Sequence, residues 1–376
     1  MVDKELLYGT LKKYFGYDSF REGQEELITN TLQGKDVLGI MPTSGGKSLC
    51  YQLPALLLDG MTIVVSPLVS LMKDQVDSLR EMGIAAAYLN STLSREEFLQ
   101  LMDDMRSGQL KLLYIAPERI DNESFMNALR FVNVPLLVVD EAHCISQWGS
   151  DFRPSYQGVA RLYDVFGRRP RVAAFTATAT EPVQDDIMIQ LRLQQPFRLV
   201  TGFDRSNLAF SVEKPADKFK FLVKDLNPKE ASIIYCSTRK NVESVQKKLE
   251  QKGFAVTLYH AGLPEHERQR NQDDFLFDRK PIMVATNAFG MGIDKSNVRT
   301  VYHYNMPKNI ESYYQEAGRA GRDGEEARVI LLFSTQDIII NQLLNSKTND
   351  SEATNKFINM FMYRCPPRCP RRYILE

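Results

Sequence analysis

Long apolar runs are missing from this chain of 376 residues. None of its apolar stretches approaches the ~18 residues that a helix needs to cross a bilayer, so a membrane-spanning protein is not expected. The N-terminal MVDKELLYGTLKKYFGY has no apolar run behind its basic residues and does not read as a secretory signal. An excess of either charge is missing too: 47 basic and 47 acidic side chains cancel. No global field attracts a polyanion, so a nucleic acid would have to be held by local patches. Cysteine is sparse and odd in number, with five residues scattered at 50, 144, 236, 365 and 369. That excludes a disulfide framework and fits cytosolic usage. Tryptophan occurs once, at Trp148. Short-period repeats and low-complexity segments are absent.

What is present is a globular composition, 43% hydrophobic and 25% charged, long enough for two domains. Short apolar runs bounded by Gly, Pro or Asp recur: DVLGIM, MTIVVSP, KLLYIAP, LLVVD and VAAFTAT. Amphipathic stretches such as SLMKDQVDSLREMG and SREEFLQLMDDMRSG separate them. Buried strands alternating with helices predict βαβ units around a parallel sheet. The rhythm restarts after RSNLAFSVEKPADK with ASIIYCS, the helical KNVESVQKKLEQKG, then AVTLYHA, PIMVATN, VRTVYHYN and ARVILLF. Two α/β domains are therefore expected, over 1–206 and 207–344. A polar, turn-rich linker and a short helix, FINMFMYR, occupy 345–376.

Chemistry concentrates first in GIMPTSGGKSLCYQ, residues 39–52. A strict phosphate-loop pattern wants glycine five places before Gly46, where this chain has Met41. The chemistry does not need that first glycine. A strand precedes the loop and a helix can start at SLCYQLPALLL, so free N–H groups and the helix dipole face an anion. Gly45 and Gly46 let the backbone turn its amides inward. Lys47 can reach terminal phosphates, and the Ser48 hydroxyl can hold Mg²⁺. A metal-bound phosphate site also needs carboxylates, and LLVVDEAHC supplies Asp140 for the cation and Glu141 to polarise water. In SQWGSDFRPSY, Trp148, Phe152, Arg153 and Tyr156 sit among Gly, Ser, Asp and Pro without periodicity. That reads as an exposed loop able to stack on unpaired bases.

The phosphate loop, DEAH, TAT (176–178) and QEAGRAGRDG (315–324), in this order, resemble superfamily 2 helicases. More narrowly, YFGYDSFREGQEE, VSPLVSLMKDQVD, CISQWGSDFRPSY and ATNAFGMGIDKSNVRTVYHYNMP resemble the RecQ family of DNA helicases, over roughly residues 8–335. The resemblance implies two RecA-like domains with ATP and Mg²⁺ between them, and 3′→5′ movement on single-stranded, 3′-overhang or forked DNA. It implies a role in repair and recombination, a cytoplasmic, nucleoid-associated place, and a monomer. Tyr17, Arg21 and Gln24 resemble the family's adenine clamp. Thr43 and Ser44 join Gly45, Gly46, Lys47 and Ser48 at the phosphates. Gln315, Arg319 and Arg322 resemble the arginine-finger segment, and their spacing would put all three on one helical face. Gln147 joins the aromatic-rich loop that couples DNA contact to hydrolysis.

The chain departs from the family in three places. Ser44 stands where glycine is usual, a strained choice if that backbone needs positive φ. Ser150 stands where histidine is usual, which implies weaker coupling. Cys369 matches the first ligand of the family's zinc-binding domain, but with Cys365 it offers two ligands at most, so no structural zinc is expected. Complete zinc, winged-helix and C-terminal helical modules are not matched. Two other readings stay open on the residues alone: an RNA-dependent DEAH-type ATPase, and a DNA-binding module without motor activity.

Overall fold

The computed structural model describes residues 3–42, 45–67, 69–89, 93–147, 152–177, 179–202, 205–289, 295–338, 360 and 362–363. Its chain divides into two compact units, Met1–Gly202 and Phe203–Glu376.

The first unit is built on seven parallel strands. Five are the apolar runs visible in the sequence: β1 (Val37–Ile40), β2 (Thr62–Val65), β4 (Leu112–Ile115), β5 (Leu136–Val139) and β6 (Arg171–Thr176). All but the first residue of β6 are buried. Continuous apolar strands of this kind form sheets covered on both faces. The remaining two, β3 (Ala86–Leu89) and β7 (Phe197–Val200), are the edges of the order β3-β4-β2-β5-β6-β1-β7. Neither edge stands out in the sequence. β7 alternates half-buried and exposed residues, and β3 opens with two alanines. Parallel pairing demands a crossover between strands, and amphipathic helices supply it. Ser94 and Glu97 form a reciprocal cap that starts the helix Arg95–Arg106.

The second unit repeats the plan with six parallel strands in the order β10-β11-β9-β12-β13-β8. They are β8 (Leu208–Glu213), β9 (Ala231–Tyr235), β10 (Val256–Tyr259), β11 (Ile282–Ala285), β12 (Val298–His303) and β13 (Ala327–Leu332). The stretch expected to connect the domains thus holds the edge strand β8, in register with β13 from Leu208↔Ala327 onward. Met360 and Tyr363, from the segment expected to be a linker and short helix, are fully buried in this unit's core.

At the N-terminal edge of the first sheet, one buried carboxylate ties three strands together. Asp36 accepts hydrogen bonds from the N–H groups of Val172 (2.8 Å) and Gln194 (2.7 Å). It also pairs bidentately with Arg169 (2.8 and 3.2 Å). These contacts fix the start of β1 against β6 and the turn into β7. Asp36→Ala strands Arg169 and two amides, so chemical denaturation should show a loss of ~3–5 kcal/mol, the cost of breaking a buried pair.

Candidate nucleotide and nucleic-acid site

Because every strand of the first sheet runs the same way, the segments after β1, β2, β5 and β6 leave from one edge. Functional groups of doubly wound sheets gather at such an edge. After β1 comes the glycine loop. Gly46 has φ +71, a backbone that favours glycine, and a Cβ there would lie 2.5 Å from the Gln24 Nε2 and displace that amide. Gln24 is buried at the head of the helix Gln24–Leu32. Its Nε2 donates to the carbonyls of Gly45 and Gly46, each at 3.2 Å, and its Oε1 accepts from Arg21 N–H at 2.8 Å. Pairing with an adenine would require that amide to trade partners. Tyr17 and Arg21 are exposed nearby in sequence, open to a flat ligand.

Lys47 is a buried ammonium whose one hydrogen bond among the described residues is a long 3.5 Å contact to Met41 O. Two of its three donor directions are left for an anion. Ser48 precedes the helix Leu49–Leu57 at its N-cap position, and its hydroxyl makes no capping hydrogen bond there. Thr43 and Ser44 lie outside the described residues.

The acid pair follows β5. Asp140 is buried; its N–H donates to Val65 O on β2 (2.9 Å), and its Oδ1 accepts from Glu141 N–H (3.0 Å). Burial, and then the charge of Glu141, push the Asp140 carboxyl well above the usual carboxylate range; Lys47 opposes the shift. Glu141 adopts the left-handed region, φ 48 and ψ 47, a conformation that costs a non-glycine residue on the order of 1 kcal/mol and collects at functional sites. Its buried Oε2 has no hydrogen-bond partner among the described residues and stands 3.4 Å from His143 Nδ1. That nitrogen is already within 2.8 Å of Thr176 Oγ1 at the end of β6. His143 and Thr176 thus belong to the site although sequence reasoning gave them no role; their signal was the company of DEAH and TAT. A buried ammonium, a hydroxyl and two crowded carboxylates suit a phosphate chain with its cation. The donor set fits ATP and Mg²⁺.

In the second unit, helix Ile310–Ala317 carries Gln315 but ends before the arginines. The expected single helical face is therefore not formed. Arg319 and Arg322 lie in turns pinned by Gly321 N–H on Val298 O (2.9 Å). Arg205 donates to the carbonyls of Gly318 (3.0 Å) and Gly321, and Asn207 Nδ2 to that of Gly321 (2.9 Å). Gly321 has φ +54, and a Cβ there would meet Asn207 Nδ2 at 2.6 Å. Arg319 is buried; its guanidinium bonds the Tyr235 phenol, while Nε and Nη1 have no hydrogen-bond partner among the described residues. Gln315 and Arg322 are half-buried. Unsatisfied buried guanidinium donors are costly alone and suited to an anion.

The expected DNA-facing residues divide. Gln147 is exposed and Phe152 half-buried, while Trp148 and Ser150 lie outside the described residues. Arg153 Nη1 donates to Pro67 O, just beyond β2, at 3.0 Å. Tyr156 corrects the sequence reading. It is fully buried, with its hydroxyl donating to Asp140 O at 3.0 Å, so its ring cannot stack on a base. It braces the acid-bearing strand end instead. Ser155 Oγ reaches Glu118 Oε1 at 3.2 Å, so the segment after the loop ties together the ends of β2, β4 and β5.

Comparison with known proteins adds the following. The DEAD/DEAH box helicase family matches residues 21–186, and the helicase conserved C-terminal domain matches 217–324. ATP-dependent DNA helicase RecQ of Bacillus subtilis (strain 168) is 47% identical over 372 residues, covering 97% of this chain and 63% of that protein. RecQ of Haemophilus influenzae is 46% identical over 90% of this chain and 55% of its own length. Probable ATP-dependent DNA helicase RecS of Bacillus subtilis is 41% identical over 88% of this chain and 67% of its own. The chain thus spans 55% to 67% of the length of these three relatives. Among solved structures, DUF1998 helicase MrfA bound to DNA aligns with a TM-score of 0.73 at 18% identity, covering 100% of this chain and 54% of that one. DEAD-box helicase Mss116 bound to ssRNA and UDP-BeF gives 0.73 at 19%, over 96% and 81%. No helix among the described residues is long and apolar enough to cross a membrane.

The raised Asp140 carboxyl makes a pH prediction. A carboxyl whose folded pKa exceeds its unfolded one holds its proton more tightly when folded, so its contribution to stability is lost as pH rises through the folded value. Without nucleotide, Asp140→Asn should therefore melt above the parent at pH 8, and the gap should close toward pH 4. A constant gap across that range, in thermal scans, would assign the effect to something other than this charge.

Proposed function

The chain belongs to the RecQ family of helicases, and we propose from that membership that it is an ATP-dependent DNA helicase moving 3′→5′. The observation that carries the reading is the buried Lys47 ammonium whose charge acts on buried Asp140, with half-buried Glu141 crowding the same carboxyl, at one sheet edge. In the proposed mechanism Lys47 and the loop amides of Gly45 and Gly46 hold the terminal phosphates, with Thr43 and Ser44 alongside. Ser48 and Asp140 hold Mg²⁺, which when bound neutralises charge on the phosphate oxygens. Glu141, fixed by its left-handed backbone, polarises the attacking water. Arg322, with Arg319 and Gln315, meets the charge that builds on the transferring phosphate. Tyr17, Arg21 and Gln24 receive the adenine.

DNA engagement is assigned to Gln147, Trp148, Phe152 and Arg153. Tyr156 links that loop to the catalytic strand from beneath. The substrates proposed are single-stranded, 3′-overhang and forked DNA, in repair and recombination, acted on by a monomer in the cytoplasm. Hydrolysis of ATP measured without nucleic acid, with single-stranded DNA and with RNA tests the reading. DNA should stimulate strongly and RNA little; preferential stimulation by RNA would replace the substrate, and no hydrolysis would remove the motor. Glu141→Gln should bind ATP and fail to turn it over. Arg322→Ala should keep nucleotide affinity within a few-fold and lose ~10³-fold in turnover.

Trp148 offers a separate readout, since it is the sole indole. Single-stranded DNA should quench its fluorescence saturably, and the effect should weaken with salt as phosphate contacts are lost. Trp148→Ala should reduce DNA affinity modestly, by the ~1–3 kcal/mol of one base–aromatic stack, and DNA-stimulated hydrolysis far more. Emission indifferent to DNA would return Trp148 to the core.

A further inference from the structure

Behind the arginine turn of the second unit, aromatic and ionisable side chains stand in an unbroken buried row. Tyr363 and Tyr313 have ring centroids 5.0 Å apart and phenol oxygens 3.3 Å apart. The Tyr313 ring is 4.6 Å from His303. His303 Nε2 lies 2.9 Å from Glu316 Oε2, and its ring stacks on Tyr235 at 5.7 Å. Tyr235 donates to Phe289 O at 2.7 Å and receives the Arg319 guanidinium. Tyr363, Tyr313 and His303 are fully buried, and Tyr235 and Arg319 nearly so.

Tyr313 and Glu316 sit on the helix that ends two residues before Arg319. Arg319 forms no ion pair with a carboxylate among the described residues, so no acid fixes where it stands. Its place is inherited from the helix end and from Tyr235, and both are buttressed by this row. The far end of the row is Tyr363, from the segment FINMFMYR that the sequence reads as a short helix. Burial, and then the Tyr363 phenol, push the Tyr313 hydroxyl well above its ordinary range, so the pair stays a protonated hydrogen-bonding couple.

We propose that Tyr363 is a positioning residue for the arginine turn: through Tyr313, His303 and Glu316 it holds the helix end that places Arg319 and Arg322. The inference rests on the reading that those arginines serve the nucleotide. A merely cohesive role predicts only lost stability when Tyr363 is changed. A positioning role predicts lost turnover in protein that remains folded.

The test uses the full chain with Tyr363→Ala, Tyr363→Phe and Met360→Ala, the last a neighbour buried in the same core but outside the row. Hydrolysis is measured with saturating single-stranded DNA, well below every melting temperature, alongside amide hydrogen exchange over residues 310–322. Tyr363→Ala should lower kcat at least ~10-fold, within the ~10²-fold that a 1 Å misplacement costs, with the KM for ATP within about twofold. Tyr363→Phe, which keeps the ring and loses the hydroxyl, should fall between. Exchange over 310–322 should accelerate in both and not in Met360→Ala. Unchanged kcat and exchange in Tyr363→Ala, or an equal fall of kcat in Met360→Ala, would overturn the proposal. Should Tyr363→Ala not fold, Tyr363→Phe decides by the same two readouts. A parent that hydrolyses no ATP sinks the nucleotide reading instead, and the exchange comparison still settles whether Tyr363 holds the helix.

Discussion

Asp140 carries a charge that its surroundings penalise, and the arrangement of the first unit's working edge follows from that. A carboxylate withdrawn from water and set beside a second one is tolerable only if its backbone is held and its charge can be met. Its N–H is bound to β2, its carbonyl to Tyr156, and its Oδ1 to the next amide. The chain then turns left-handed at Glu141, which separates the two carboxylates while keeping both at the edge. Lys47 supplies the one ammonium whose charge opposes the Asp140 shift. Relaxing any of these supports would let Asp140 find water and relieve the penalty on its charge.

The second unit shows the opposite imbalance. Arg319 is buried with donors unanswered, and the neighbouring acid, Glu316, is turned toward His303. A generic surface arginine pair would sit among carboxylates and gain little from them. Here Nε and Nη1 of Arg319 meet no hydrogen-bond partner among the described residues, while the backbone carbonyls of Gly318 and Gly321 are satisfied by Arg205 and Asn207 instead.

Central strands were readable because burial on both faces leaves continuous apolar runs: LLVV at β5 is wholly apolar, and TIVV at β2 is apolar after its first residue. The edges β7 and β8 were not, since half-solvated strands carry mixed residues such as FRLV and LAFSVE, and β3 was not because AAYL is short and opens on two small residues. Gly46, Lys47, Asp140 and Glu141 were legible through spacing and company. Tyr156 was misread because a polar, Gly- and Pro-rich neighbourhood signals exposure for the loop as a whole and says nothing of one side chain turned inward. Gln315, Arg319 and Arg322 were placed on one helix by counting alone, but Gly318 ends that helix and tertiary contacts set the arginines. The burial of Tyr363 had no local signal, since Tyr313, on which its ring and hydroxyl rest, lies 50 residues away.

Gln24 and Gly46 belong to different elements, yet neither can drift alone. A side chain at 46 would strike the Gln24 amide. Shortening Gln24 would clear the space but free two loop carbonyls and leave a backbone that still disfavours any side chain. Single substitutions in this pair therefore lead downhill in every order, and a lineage can leave the combination only by rebuilding the loop. The two positions form one heritable unit written in two places.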